Sequence, residues 1–213
     1  MTDIDPHSRI DHLVYGVLDL QKAVDDIEQQ IGVRPVEGGR HLGHGTRNYL
    51  LGLSPTSYLE IIALDGENPA ADGHPTAFHL DRLREDRLVA WCIHPGDIDG
   101  ALVKSRRHNA DHGKLTPMSR VDNEGNELHW TLAKSDDLPY GGLAPFLIDW
   151  GDSVHPASSG IPHAELLDLE VGSPDADAVN GLYRDLGIDV VAVTADEPRL
   201  RATIAGPTGT VSL

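Results

Sequence analysis

Apolar residues recur along this chain with two periods, and each period marks its own kind of element. Ile10–Val17 and Ser57–Asp65 are short apolar runs with β-branched and aromatic residues, bounded by turn formers, which reads as buried strands. Between them Leu20, Ala23, Val24, Ile27 and Ile31 recur at helical spacing, with Asp19 placed to cap the helix and Gly32 to end it. Val33–Glu37 and Thr46–Leu53 read as two further strands around Gly38–Gly45, a glycine-rich loop that carries His41 and His44. The order is strand, helix, three strands.

That order recurs. A second pass starts at Arg87–His94 and continues with a helix capped by Asp97 and buried through Ile98, Ala101 and Leu102. Lys114–Val121 and Glu127–Ala133 read as strands around the turn Asp122–Asn126, and one weakly marked strand is expected within Ala110–Leu115. A third pass starts at Ala164–Val171. Its helix opens at Ser173-Pro174, carries Val179, Leu182 and Leu186, and stops at Gly187; Ile188–Val193, Leu200–Ala205 and Gly209–Leu213 follow as strands. The pattern is an internal repeat of about fifty residues. It predicts an α+β protein in which repeated βαβββ units form a cupped mixed sheet with helices on the outside. A paired unit is expected over residues 8–134 and a third βαβββ-like unit over 163–213. Residues 135–162 between them are rich in Gly, Pro, Ser and Asp, yet Leu143–Trp150 is too apolar to be left in water, so a crossover docked on the domain is expected.

Composition narrows the function. With 213 residues and 39% hydrophobic content, the chain can bury a real core. A formal net charge of −17 argues against nucleic acid as a partner, because phosphates would be repelled. Cys92 is the lone cysteine, so no intramolecular disulfide forms, and its apolar neighbours predict a buried thiol. No apolar run approaches the about 18 residues of a membrane span, and the acidic, polar Met1–Pro6 is unlike a signal peptide, so a cytoplasmic protein without a membrane partner is expected. There is no GxSxG elbow, phosphate loop or activated Cys/His pair.

Two residues stand out from the strands that hold them. Alternation puts His12 on one face with Val14 and Gly16, and Glu60 on one face with Tyr58, Ile62 and Leu64. A bare carboxylate in such a run costs roughly several kcal/mol, so Glu60 must be paired, hydrated or bound to a cation. Taken singly, His12 reads as a hydrogen-bonded core histidine and Glu60 as a partner of Arg47 or a residue at a wet edge. Together, in the first and fourth strands of one unit, they point to a site.

Asp11-His12-Leu13-Val14, Gly45–Asn48, Tyr58–Ile62, Leu128–Leu132, and Gly142–Gly151 with His155-Pro156 resemble, in this order, the vicinal oxygen chelate superfamily and most of all its glyoxalase-like branch. The resemblance implies a site on the concave face of the cupped sheet, where His12 and Glu60 would bind a divalent metal (Zn, Ni, Fe or Mn) and Glu60 would also serve as a base. In the second unit Ala90 falls at the place of His12 and Trp130 at that of Glu60, and the third unit has Leu166 at the place of His12, so the ligand set is incomplete. Trp130 is expected instead to form an aromatic wall. Trp150 either adds to that wall or, with Asp149 and His155, anchors the crossover. Asn48 and Arg47 are expected to contact substrate, the other reading being a turn cap and a surface ion pair. Two functions follow: a metal-dependent lyase, isomerase or dioxygenase-type enzyme acting on a small oxygenated metabolite, or a metal-free small-molecule binding protein of the resistance-protein type. A structural subunit with an empty cup is a third. The open face of the third unit predicts a homodimer.

Overall fold

The computed structural model describes residues 9–41, 44–70, 76–121 and 127–213; the expected turn Asp122–Asn126 lies outside the described residues. The first unit comprises β1 (Ile10–Gly16), α1 (Leu20–Ile31), β2 (Val36–His41), β3 (Thr46–Ser54) and β4 (Ser57–Leu64). Helix α1 begins and ends where its sequence requires. The Asp19 side chain accepts from the backbone N–H of Lys22, and Gly32 closes the helix in the left-handed conformation with φ 73°. Strand β2 runs later than the apolar pattern suggests, through Gly38, Gly39 and Arg40 to His41, because pairing with β3 imposes an extended backbone that glycines do not favour alone.

The second unit is β5 (Arg87–Ile93), α2 (Ile98–Arg107), β6 (Thr116–Val121), β7 (Glu127–Ala133) and β8 (Phe146–Asp149). The weakly marked strand expected within Ala110–Leu115 does not form. The missing strand is β8, which lies inside the segment expected to be a crossover; its parallel pairing with β5 and antiparallel pairing with β7 complete the unit. All eight strands form one curled mixed sheet in the order β2-β3-β4-β1-β5-β8-β7-β6. The two halves join through the antiparallel pair β1–β5, with Leu13 opposite Trp91.

Alternation sorts the side chains of this sheet into two apolar layers. Leu13, Leu59, Ile61 and Trp91 pack on the helix side with Val24, Ile27 and Leu102. Val14, Tyr58, Ile62, Cys92, Phe146 and Trp150 fill the concave side, where Leu80, Leu83 and Ala157 close over them. The third unit holds β9 (Glu165–Ser173), α3 (Ala176–Leu186), β10 (Ala192–Thr194), β11 (Arg199–Gly206) and β12 (Gly209–Ser212). It repeats the element order of the others but not their pairing, since its four-stranded sheet runs β10-β9-β11-β12. It packs on the helix side, with β11 and β12 against α1 and α3 against α2. The carbonyl of Leu143 ties the units together, accepting from Trp91 Nε1 at 2.7 Å and from the Tyr183 hydroxyl at 2.8 Å. Among the described residues no helix is long and apolar enough to cross a membrane.

Candidate functional site

His12 and Glu60 lie on the concave face, as alternation requires: the parallel register sets His12 beside Tyr58 and Val14 beside Glu60. Both are buried, at 4% and 7% exposure. The His12 ring stacks on Tyr58 (centroids 4.7 Å apart, planes at 17°) and meets the edge of Phe146 at 5.2 Å.

Strict alternation would send Asp11 to the other face. A bulge prevents this: Ile10 pairs with Ile93 and His12 with Cys92, which leaves Asp11 as the extra residue. Its fully buried carboxylate then receives three hydrogen bonds. Oδ1 accepts from His12 Nδ1 at 2.6 Å, and Oδ2 from Trp150 Nε1 at 2.9 Å and His155 Nε2 at 3.2 Å. The protons of both histidines follow. His155 Nδ1 accepts from the backbone N–H of Ala157, so its Nε2 carries the proton given to Asp11. An ionised Asp11 can only accept, so His12 Nδ1 carries the proton of that bond, and in the neutral ring the lone pair would lie on Nε2. Burial pushes the Asp11 carboxyl up, but the hydrogen bonds from His12 and His155 outweigh it and hold the group well below the usual carboxylate range. Trp150 and His155 thus anchor the crossover, and do so on the residue that orients His12, while Asp149 accepts from the backbone N–H of Gly151.

Glu60 has its own support. Asn48 Nδ2 donates to Glu60 Oε1 at 2.6 Å, His41 Nε2 lies 3.7 Å from the same oxygen, and His41 Nδ1 is 2.8 Å from Thr46 Oγ1. Gly38 makes room for this group, since a Cβ there would sit 2.4 Å from Asn48 Oδ1. Asn48 therefore reaches the cup, through Glu60. Arg47 does not: paired with Ala63, a helix-side residue, it faces away from Asn48, and the Asp65 carboxylate is among its neighbours.

The second unit supplies no counterpart donors. With Leu13 opposite Trp91 at the junction, His12 corresponds to Ala90 and Val14 to Cys92; their parallel neighbours are then Glu60 and Phe146. Phe146, not Trp130, occupies the place of Glu60. Trp130 lies on β7, the third strand of its unit, and packs on Trp150 at 5.4 Å, while the Trp150 N–H is committed to Asp11. The difference comes from β8, whose four residues suit a docked loop as well as a strand until they pair with β5 and β7.

Asp11, His12 and Cys92 bring three donor atoms within 4.8 Å of one another, a partial metal site. Its donors are otherwise engaged. Both Asp11 oxygens hold hydrogen bonds, and burial, with the charges of Asp11 and Glu60, keeps the Cys92 thiol protonated well above its ordinary range. Ala90 and Phe146 add nothing from the other half, so the described residues do not complete a resident divalent centre.

The chain matches the model of the glyoxalase-like domain over residues 10–187. It belongs to that family, and with it to the vicinal oxygen chelate superfamily. No curated protein matches the sequence. Among solved structures, a hypothetical protein from Staphylococcus aureus is similar over 95% of this chain and 84% of its own, with TM-score 0.62 and 16% identity. A mutant of 4-hydroxymandelate synthase from Streptomyces coelicolor is similar over 96% and 62%, with TM-score 0.52 and 15% identity. Methylmalonyl-CoA epimerase from Mycobacterium tuberculosis overlaps over 70% and 90%, with TM-score 0.41 and 16% identity. At these identities the likeness concerns the fold.

Proposed function

We propose that this protein is an enzyme of the isomerase type that takes a small oxygenated metabolite into its cup and moves a proton with His12, without a resident catalytic metal. One observation carries the reading: a buried imidazole on the concave face, hydrogen-bonded through Nδ1 to the Asp11 carboxylate, which leaves Nε2 as the atom turned to a ligand. A base held in one tautomer beside a fixed anion gains on protonation, because the Asp11 charge stabilises the imidazolium. His12 Nε2 would remove a proton next to a carbonyl of the bound metabolite and return it to another atom. Glu60, oriented by Asn48, is the second acid–base group in reach of the cup. Cys92, Tyr58 and Phe146 make the surroundings apolar and limit water.

The test follows solvent deuterium into a panel of small hydroxy and oxo compounds by NMR, using wild type, His12→Gln and Glu60→Gln. The expected result is exchange into at least one compound, reduced about a hundredfold or more in His12→Gln, in line with the usual worth of a general base. Exchange that survives in His12→Gln would sink the assignment. Stoichiometric uptake of Zn, Ni, Mn or Fe(II) that is lost in Glu60→Gln would replace it with the metal-dependent reading. Tight binding of compounds without exchange in any variant would leave a binding protein of the resistance type.

A further inference from the structure

We propose that Lys134 anchors a carboxylate of the bound metabolite, so that the ligand of this cup is a small organic acid; the inference rests on the cup being the binding site. Lys134 follows the last residue of β7, Ala133, which lies in the helix-side core, and alternation turns the lysine to the concave side. Its Nζ lies over the Phe78 ring, 4.7 Å from the centroid. Phe78 packs on Phe146 at 5.7 Å, and Phe146 on His12 at 5.2 Å, so the ammonium borders the same aromatic cluster that holds the proposed base.

The ammonium is poorly satisfied where it stands. Its side chain is 16% exposed, and among the described residues it makes no hydrogen bond; the nearest carboxylate oxygen, of Asp136, is 3.8 Å away on a side chain that is 66% exposed. Three N–H donors at so sheltered a position call for acceptors. Burial draws the Lys134 ammonium below its ordinary range, against the charges of Asp136 and Glu60, which again marks a cation short of partners. The segment opposite is held in costly geometry. Phe78 and His79 both adopt left-handed backbone, φ 56° and 53°, which non-glycine residues seldom do and which concentrates at ligand clamps. One ammonium, with no arginine fork or helix N-terminus beside it among the described residues, suits a singly charged carboxylate better than a phosphate. Arg47 cannot share the task, because it lies on the other face of the sheet.

The decisive measurement pairs acids with their amides: lactate with lactamide, 2-hydroxybutyrate with its amide, and benzoate with benzamide, titrated by NMR into wild type, Lys134→Met and Lys134→Arg. Wild type should prefer the acid of at least one pair by about tenfold or more, the worth of a charge-assisted hydrogen bond. Lys134→Met keeps the length of the stem and should erase the preference while leaving amide binding in place; Lys134→Arg should retain it in part. Equal affinity for acid and amide in wild type, or an undiminished preference in Lys134→Met, overturns the anchor and leaves the His12 proposal standing. If neither member of any pair shifts Phe78, Phe146 or His12 resonances, both readings fall.

Discussion

Asp11 controls more of this site than its size suggests. A carboxylate with three hydrogen-bonded partners and no exposure is stable only as the anion, and as the anion it dictates the tautomer of both histidines it touches. Another buried residue behaves in the opposite way. His112 is 1% exposed, its Nε2 has no hydrogen-bond partner among the described residues, and burial, against the charge of Asp111, brings its pKa down to about 4. Since 4 is below the unfolded value of 6.5, the neutral ring favours the fold; that contribution is complete above pH 6.5 and is lost as pH falls through 4. The loss amounts to about 3 kcal/mol. Urea midpoints measured from pH 7 to pH 4 should therefore fall more steeply in wild type than in His112→Gln, and parallel curves would show that His112 is not the group responsible. Asp11 acts only later: its folded pKa is depressed, so its contribution holds above its unfolded value of 3.8 and fades below it.

Among the elements, α1 and β8 stand at opposite ends of legibility. The helix carries every signal in its own sequence: an Asx cap, a five-residue buried stripe and a glycine stop. Strand β8 has four residues, and the same apolar run suits a docked loop; only pairing with β5 and β7 makes it a strand. That ambiguity moved the Glu60 counterpart from Phe146 to Trp130. Contact between elements also explains Gly206. In the β11–β12 hairpin a Cβ at this position would stand 2.3 Å from the Ile31 carbonyl oxygen, and Thr208 N–H donates to the same oxygen at 3.3 Å. Gly206→Ala should separate the hairpin from the end of α1 and cost about 1–3 kcal/mol, as overpacking does, read by chemical denaturation. An unchanged midpoint would mean that the hairpin shifts away freely.

For the whole molecule, the charge balance matters most. A formal net charge of −17 on 213 residues makes like charges repel across the surface, and compactness suffers from that repulsion. Ion pairs such as Arg34 with Asp25 are exposed and offset little of it. Raising sodium chloride from about 10 mM to about 1 M shortens the screening length from about 30 Å to about 3 Å and should raise Tm. A falling Tm would mean that surface pairs outweigh the net repulsion. The same acidity gives the sheltered Lys134 ammonium at the cup its significance, because an anionic metabolite approaches against the field of the chain.

What the sequence determined by itself is local. Periodicity and caps located the helices, alternation put His12 and Glu60 on one face, and the repeat assigned Ala90 to the place of His12. These follow from neighbours a few residues apart, where backbone geometry leaves few choices. Only the tertiary structure decided the rest. A bulge, which depends on the partner strand, turned Asp11 towards His12. A crossover 139 residues downstream brought Trp150 to Asp11, and alternation within β3, once paired, sent Arg47 away from the cup. The third unit kept the element order of the repeat but took another strand order, because it packs on the helix side instead of extending the sheet. Contacts between residues distant in sequence depend on which surfaces meet, and no local pattern encodes that meeting.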